Sequence, residues 1–307
     1  MILSDANPSE LALVLAHTHA LWGDGLAISE YEEFITTLMA SEWAREGRYR
    51  FLVAKEATTG PIVAALKLYR FRARLQSEVI EVGGVGAIFT LPDHRRRGVA
   101  AAMLARVHEL MAARGDVASI LFSEIGSSYY AGLGYRELPG REEIFTVPSA
   151  SPAPRDDEGD IVVSRFHRDD LDLVETIRSA ARAGASFDLT RDPSFWKYLL
   201  ARASFPTLHL GRETWESRLM IARGPEAAAY LWARFKARVV EIIDFEPTVP
   251  SQLLLDDLFE ECRRRGVSEV RGCPSGAIPM WLPLDTTKTP QLEVAMPDWR
   301  FQGVEIF

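Results

Sequence analysis

Arg95-Arg96-Arg97-Gly98-Val99-Ala100 is the stretch of this sequence that decides the fold. It follows a strand-like apolar run, 82–91, and opens a helical pattern of apolar residues that extends to Leu110. A glycine-containing turn between a strand and a helix leaves backbone N–H groups without partners at the positive end of the helix dipole. The small residues Gly98 and Ala100 would let an anion approach this backbone, and the arginines add positive charge. The stretch therefore predicts a phosphate or diphosphate site, with a solvated basic loop as the alternative when it is taken alone.

The composition is that of a globular protein with enough apolar residues for two cores. Of the 307 residues, 47% are hydrophobic and 25% are charged, and the length suits two domains of roughly 150 residues each. Lys and Arg total 35 against 43 Asp and Glu, so the formal net charge is −8. This balance argues against a general binder of nucleic acid or anionic membranes, and it mildly favours a cationic small substrate.

The two cysteines and the N-terminal residues indicate the cellular compartment in which we expect the protein. Cys262 and Cys273 form no C-x-x-C pair and have no metal-ligand spacing, so we expect reduced thiols and no metal. The first residues lack the features of a secretion signal, and no apolar run reaches the roughly 18 residues of a membrane span. The sequence therefore predicts a cytoplasmic protein without a nucleic-acid or membrane partner, and it leaves a homo-oligomer open.

The first half of the chain alternates helices and strands. Asn7 and Pro8 are typical of a helix start, and Gly115 is typical of a helix stop. In chain order we predict a helix from residue 8, a helix over 29–45, strands over 49–54, 60–69 and 78–91, a helix over 98–113, a strand over 117–122, a short helix over 127–132, and strands near 135 and over 143–147.

The second half repeats this alternation after a segment without periodicity. Residues 149–160 are rich in proline, small residues and acids, which predicts a linker between domains 1–148 and 161–307. The predicted fold class is α/β (α+β), with a mixed central sheet flanked by helices in each domain. The predicted elements are strand 161–164, helices 171–183 and 193–203, strands 219–222, 227–235 and 239–245, helix 251–265 and a closing strand 267–271.

Two motifs resemble the GNAT superfamily of N-acetyltransferases. The family's acetyl-CoA segment has Arg or Gln, two free positions, Gly, one free position and Gly or Ala, which Arg95, Gly98 and Ala100 fit. The run 129–135 resembles the family's Tyr-x-x-x-Gly-Phe/Tyr element, with Tyr130 lying 35 residues after Arg95. The resemblance implies acetyl-CoA as cosubstrate, held by Ile88, Phe89, Thr90, Arg95, Arg96, Arg97, Gly98, Val99 and Ala100.

The same resemblance implies catalytic roles. Tyr130 falls on the tyrosine that often protonates the departing CoA thiolate in this family. The family has no fixed general base, and we expect Glu124 to accept the proton of the amine, with Glu81, Asp24 and Glu30 as alternatives. The histidines at 17 and 19 are further candidates for lining the acceptor cleft.

The central strand is expected to distort. In the family, a backbone amide of this strand hydrogen-bonds the oxygen that becomes negative during acyl transfer, which here points to residues 88–90. Gly83, Gly84 and Gly86 would let the strand bend or bulge and free these groups, although each glycine could instead serve close packing.

The second half lacks the diphosphate signature. Residues 246–250 contain two prolines and no glycine, which predicts a degenerate GNAT-like domain that walls the acceptor cleft or mediates assembly. This tandem arrangement is similar to fungal lysine N-acetyltransferases and to Eis-type aminoglycoside acetyltransferases, although 307 residues leave no room for the sterol-carrier-like domain of the latter. In Eis-type proteins the C-terminal carboxylate reaches the active site. The aromatic end of this sequence, 299–307, leaves a similar return open, and the favoured expectation is an ordinary final strand.

The resemblance implies an acetyl-CoA-dependent N-acetyltransferase. We expect transfer to the primary amine of a small molecule, such as an amino acid like lysine, a polyamine or an aminoglycoside. Direct attack in a ternary complex is expected because neither cysteine lies near the motifs. The alternatives are a non-catalytic CoA-binding sensor, a protein lysine acetyltransferase, and an aminoacyl- or peptidyl-transfer enzyme of the same tandem fold.

Overall fold

The computed structural model describes residues 1–138, 144–150, 161–224, 227–246, 251–272 and 277–299. The helices in these ranges are α1 (Pro8–Trp22), α2 (Ile28–Met39), α3 (Val99–Ala113), α4 (Ser128–Ala131), α5 (Leu171–Ala181), α6 (Pro193–Leu210), α7 (Ser251–Arg264) and α8 (Thr289–Ala295). The strands are β1 (Ile2–Asp5), β2 (Tyr49–Lys55), β3 (Ile62–Leu75), β4 (Glu78–Thr90), β5 (Ala118–Ser123), β6 (Arg136–Glu137), β7 (Ile144–Thr146), β8 (Val162–Arg165), β9 (Phe187–Leu189), β10 (Trp215–Arg223), β11 (Ala228–Lys236), β12 (Val239–Phe245), β13 (Glu269–Arg271) and β14 (Ile278–Pro283). No helix in these ranges has both the length and the apolarity needed to cross a bilayer.

The two sheets share one design. The first has the strand order β1-β2-β3-β4-β5-β14-β6, with β9 also paired to β3, and the second has the order β7-β13-β12-β11-β10-β8. Each combines antiparallel neighbours with one parallel pair bridged by a helix: β4 and β5 through α3, and β12 and β13 through α7. This repetition confirms the predicted α/β class with two mixed sheets flanked by helices.

The sheets also exchange strands. Strand β7 precedes the predicted linker but pairs with β13, whereas β14 inserts between β5 and β6 of the first sheet. The prediction that residues 267–271 close the second half was therefore wrong, because β14 and α8 follow them. The predicted domain boundaries at 148 and 161 stay a prediction. Each sheet contains strands from both halves of the chain, and residues 151–160 of the predicted linker lie outside the described ranges.

Two helices differ from their predicted lengths. The helix predicted over 29–45 ends at Met39, because the Ser41 hydroxyl accepts a hydrogen bond from the Ala44 N–H (3.2 Å) and a separate π-helical turn follows at Ala44–Arg48. Helix α6 continues past its predicted end at 203 to Leu210, with Pro206 inside it. These two departures are local, and neither changes the order of the elements.

Buried ion pairs join α5 and β9 to the second sheet. These are Arg178–Asp188 (Nη2–Oδ1 2.7 Å), Arg182–Glu246 (Nε–Oε1 2.6 Å) and Arg191–Asp244. The Arg191 guanidinium also stacks over the ring of Trp196 on α6, 4.8 Å from its centroid. Because β9 pairs with β3, this network fixes the second sheet and α6 relative to the first sheet.

The substitution Asp244→Asn tests this network. It keeps the shape of the side chain but removes the negative charge that Asp244 places against the fully buried Arg191, so we expect the free energy of unfolding to fall by about 3–5 kcal/mol. Glu293→Gln is the matched control, because its pair with Arg136 (2.6 Å) is about half exposed and should contribute less than about 1 kcal/mol. Urea titrations followed by tryptophan fluorescence measure both, and equal losses would contradict this role for the network.

Candidate functional site

Strand β4 separates from β5 after a short parallel contact. The two strands pair only over Val82–Gly84 and Ala118–Ile120. Beyond this point β4 carries a bulge, because Ala65 faces Phe89 and Lys67 faces Gly86, so that two residues of β4 lie opposite one residue of β3. The backbone of β4 beyond Gly84 therefore borders an opening in the middle of the sheet.

The bulge lies one residue beyond the predicted glycines. Its first residue, Ala87, has a φ of +46°, a conformation that costs energy for a residue with a Cβ. Gly83 serves close packing instead, because a Cβ there would lie 2.5 Å from the Cε of Met111 on α3. The strand therefore has both features considered in the sequence analysis: a bulge, which begins at Ala87, and close packing, at Gly83.

The three predicted backbone positions lie in the bulge (Ile88) and just after it (Phe89 and Thr90), and they point in different directions. The N–H of Leu91 donates to the Val63 carbonyl (3.0 Å), so the alternation of the antiparallel ladder turns the N–H of Thr90 away from β3 and toward the opening. The same alternation directs the Phe89 backbone at β3, and Ile88 lines a cavity that extends from the opening. Thr90 and Ile88 therefore border the opening, whereas Phe89 supports it from the sheet.

The turn before α3 presents free amides and open space. Gly98 caps the helix with a φ of +75°, and a Cβ there would meet no atom within 4 Å. The first intrahelical bond runs from the Ala102 N–H to the Gly98 carbonyl (3.0 Å), so the amides of residues 99–101 precede it. Val99 is buried against the sheet and Ala100 is half-buried, which leaves the amide end of α3 accessible.

The three arginines of this turn differ in their contacts. The Nε of Arg95 donates to the Thr90 carbonyl (3.1 Å), and its guanidinium lies 5.5 Å from the centroid of the Phe89 ring. Arg96 adopts a φ of +60° and, like Arg97, is exposed. Arg95 therefore stabilises the turn itself, and the other two side chains extend into solvent beside the free amides.

Tyr130 is the tyrosine of the predicted element that is buried and also lines the cavity. Its side chain packs in the same cluster as Val99, and the residue also lines the cavity that begins at the opening. Burial, together with Tyr129 and Glu124, raises the pKa of Tyr130 to about 12. The hydroxyl therefore stays protonated at neutral pH and is able to donate.

The neighbouring tyrosines are not equivalent to Tyr130. The hydroxyl of Tyr135 is engaged in the core, 2.7 Å from Ser119 Oγ and 2.9 Å from His108 Nε2, as expected for a structural aromatic. Tyr129 is exposed. Its ring lies edge-on to Tyr130, with centroids 5.1 Å apart.

The cavity has a volume of about 380 Å³, and both halves of the chain line it. Gly86, Ala87 and Ile88 of β4 and Tyr130 come from the first half. The second half contributes residues of α6, β10, β11 and β12, which fits the predicted role of a wall for the acceptor cleft. A volume of this size suits a small ligand.

The candidate bases occupy different places. Glu124 and Asp24 both line the cavity. Glu81 is held by Arg48 (Nη1–Oε2 3.1 Å), and Glu30 accepts a hydrogen bond from the N–H of Ala27 (2.7 Å) at the start of α2. The structure therefore brings Glu124 and Asp24 to the cavity and gives the other two carboxylates structural partners.

The predicted histidines make local contacts. The ring of His17 stacks on Phe89, with centroids 6.1 Å apart, and the Nε2 of His19 lies 2.6 Å from the Leu26 carbonyl. In the described part of the chain, no three His, Cys, Asp or Glu side chains converge as a possible metal site. Two segments named in the sequence analysis lie outside the described residues. They are 247–250, where the second half lacks the diphosphate signature, and the C-terminal segment 300–307.

Sequence reasoning missed the basic side chains of the cavity. Four of them line it, from β3, α6 and β11: Lys67, Arg202, Arg234 and Lys236. The one available signal was Lys67, a charged residue inside the apolar run of β3. The others belong to elements that only the tertiary fold brings to the first domain.

Comparison with known proteins identifies the fold. The family described as "Acetyltransferase (GNAT) domain" matches residues 15–138. The crystal structure of a GCN5-related N-acetyltransferase from Kribbella flavida is 16% identical, with a TM-score of 0.64 over 96% of this chain and 73% of that one. Eis1 from Mycobacterium abscessus is 15% identical, with a TM-score of 0.55 over 93% of this chain and 74% of that one.

A tandem protein gives a similar match over nearly its full length. The tandem GNAT protein of the clavulanic acid biosynthesis pathway is 12% identical, with a TM-score of 0.53 over 92% of this chain and 98% of that one. No curated protein matches the chain in sequence. Residues 15–138 therefore match an acetyltransferase (GNAT) domain, and the strand–helix–strand repeat, the opened β4–β5 pair and the structural matches give the chain a tandem GNAT-like fold, which supports acyl-CoA binding and acyl transfer in general.

Proposed function

We propose that this protein is an acetyl-CoA-dependent N-acetyltransferase that acetylates the primary amine of a small molecule. The observation that carries this proposal is the opening between β4 and β5, which is bordered by free backbone groups and continues into the cavity that Tyr130 lines. Unpaired backbone N–H groups inside a sheet require an acceptor, and an extended acyl-CoA chain offers one. The cavity volume supports a small acceptor over a protein lysine.

The turn at Gly98 fits the diphosphate of the cosubstrate. The amides of residues 99–101 lie at the positive end of α3, and the space above Gly98 is open. Arg96 and Arg97 would add charge from the exposed side of the turn, while Arg95 holds its shape. When it is bound, acetyl-CoA supplies an activated thioester, and the Thr90 N–H is the described donor that faces the opening.

Tyr130 and Glu124 are the proposed acid and base. Tyr130 stays protonated at neutral pH and would protonate the leaving thiolate. Glu124, exposed at the cavity, would accept the proton of the amine directly or through water. Direct attack fits the position of Cys262, which is buried in the core of the second sheet, where burial raises the pKa of its thiol to about 11.

A thiol-release assay tests the function. Purified protein with acetyl-CoA and a panel of amino acids, polyamines and aminoglycosides should release CoA with at least one amine, and mass spectrometry should find the matching N-acetyl product. CoA-dependent thermal stabilisation without turnover on any amine would favour a CoA sensor. Acetylation of lysine peptides but of no small amine would favour a protein acetyltransferase.

Gly98→Asp tests the diphosphate site. The new carboxylate would occupy the open space and bond to the amides that we assign to the diphosphate, so we expect CoA affinity to fall at least about 100-fold. Gly266→Asp is the matched control, because Gly266 also has a positive φ (+68°) and open space but ends α7 in the other domain. Calorimetry with CoA separates the two, and equal affinities would contradict the site.

Tyr130→Phe tests the proton donor. We expect kcat to fall roughly tenfold or more while the KM for acetyl-CoA changes little, because the hydroxyl acts at the leaving sulfur. Tyr129→Phe is the control on the adjacent exposed ring. Because the pKa of Tyr130 is raised to about 12, its deprotonation should not reduce wild-type kcat below about pH 10. Wild-type kcat in Tyr130→Phe would remove this residue from the mechanism.

Glu124→Gln tests the base. Loss of the carboxylate should lower kcat/KM for the amine by about 100-fold and should leave CoA binding intact. Asp24→Asn is the comparison, because Asp24 also lines the cavity but is paired with Lys236 (3.2 Å) and should matter less. The opposite order of effects would assign the base to Asp24.

A further inference from the structure

Lys67 is the one basic residue in an otherwise apolar and aromatic row of β3. Ala65, Tyr69 and Phe71 share its face of the strand, and all three are buried in the cores beneath α1, α2 and α6. The side chain of Lys67 is half-buried and lines the cavity between the two halves. An ammonium in such a position is costly unless an anion neutralises it.

The described residues do not supply that anion. Within them Lys67 has no hydrogen bond and no ion pair, although the other β-strand cations of the cavity do. Lys236 pairs with Asp24 (3.2 Å), and the Nε of Arg234 donates to Glu241 Oε2 (2.7 Å). Of the two carboxylates that line the cavity, Asp24 is therefore already engaged, and Glu124 lies beside Tyr130.

A second cation lines the cavity with Lys67. Arg202 of α6 lines the same cavity, and its charge acts with burial to lower the pKa of Lys67 to about 7, against the weaker opposite effect of Asp24. The positive charge of Arg202 disfavours the ammonium form of Lys67, and an anion bound at Lys67 would stabilise that form. The cavity thus favours an anion at this point although the whole chain has a net charge of −8.

The position of Lys67 places this anion beside the reaction site. Lys67 is the cross-strand partner of Gly86, the residue immediately before the bulge that opens the sheet. Ala87 and Ile88 of the bulge line the same cavity as Lys67 and Tyr130. A small molecule in this cavity could therefore place an anionic group at Lys67 while its amine approaches the opening.

We propose that Lys67, supported by Arg202, binds a carboxylate of the acceptor, so that the acceptor is an amino acid or a similar carboxylate-bearing amine. This inference rests on the proposed function and narrows its substrate class. It disfavours polyamines and aminoglycosides, whose positive charges would meet Lys67 and Arg202. It also departs from the expectation of a cationic substrate, which was drawn from the net charge of the whole chain.

Matched amines that differ only in the carboxylate test the proposal. Lysine with cadaverine, ornithine with putrescine, and phenylalanine with phenethylamine form three such pairs. In thiol-release assays we expect the carboxylate member to have a kcat/KM about 10- to 100-fold higher, mainly through KM. Equal or better use of the decarboxylated member by the wild-type protein in every pair would overturn the proposal.

Two substitutions assign the preference to Lys67. Lys67→Met suits the apolar row of β3 and should bring the ratio of kcat/KM within each pair close to one. Lys67→Arg keeps the charge and should restore a preference for the carboxylate. Lys197→Met is the control, because Lys197 lies on α6 near Arg202 but is exposed and paired with Glu42 (2.9 Å). An unchanged ratio in Lys67→Met would overturn the assignment.

The pH dependence provides a second readout. Lys67 loses its charge as the pH rises through about 7, so wild-type KM for the carboxylate member should rise, relative to its partner amine, between about pH 6 and 9. Lys67→Arg should abolish this rise. The other charged groups of the cavity are Asp24, Glu124, Arg202, Arg234 and Lys236, and none of them is altered by the substitution.

Direct binding separates this proposal from the proposed function. If no amine is acetylated, the acetyltransferase assignment fails, but the carboxylate site is still measured by calorimetry of the CoA-saturated protein with lysine, ornithine and phenylalanine. Binding that weakens at least tenfold in Lys67→Met and recovers in Lys67→Arg would support the site. Absence of binding, or equal binding by wild type and Lys67→Met, would overturn it.

Discussion

The separation of β4 from β5 is the constraint on which the rest of this structure depends. A parallel pair that ends at Gly84 and Ile120 leaves backbone groups in the middle of a sheet without strand partners. The bulge that begins at Ala87 lies just beyond this separation, where its strained backbone shifts the register between β3 and β4. The fold therefore holds an opening that a ligand with its own hydrogen-bonding groups can fill without rearranging the sheet.

The exchange of strands between the sheets explains why residues from both halves of the chain line one cavity. Strands β14 and β9 of the second half pair with β5 and β3 of the first half, so the two halves of the chain cannot separate without breaking ladder hydrogen bonds. The buried pair Arg191–Asp244 and the stacking of Arg191 on Trp196 connect this junction to α6. Helix α6 is thereby held against the first domain, where it presents Arg202 to the cavity.

Local patterns predicted much of the fold, and long-range pairing accounts for what they missed. Asn7 caps α1, and Gly98 precedes α3, because these signals act within a few residues. Strand β14 was missed because Pro279 and Pro283 argue against a strand in isolation, yet the edges of β5 and β6 supply partners for it. The motifs located Gly98 and Tyr130 in the same way, whereas Lys67 gains its meaning from a cavity that no local pattern describes.

The distribution of charge gives the second half a role beyond assembly. The groups that we assign to the cosubstrate and to proton transfer, Gly98, Tyr130 and Glu124, all belong to the first half. Three of the four cavity cations, Arg202, Arg234 and Lys236, belong to the second. Net charge averages over both halves and over the solvent-exposed surface, so it has no bearing on the field inside a half-buried cavity. Under the proposed function, a domain that lacks the diphosphate motif would therefore still shape the acceptor site, because it supplies Arg202 and one wall of the cavity that Lys67 lines.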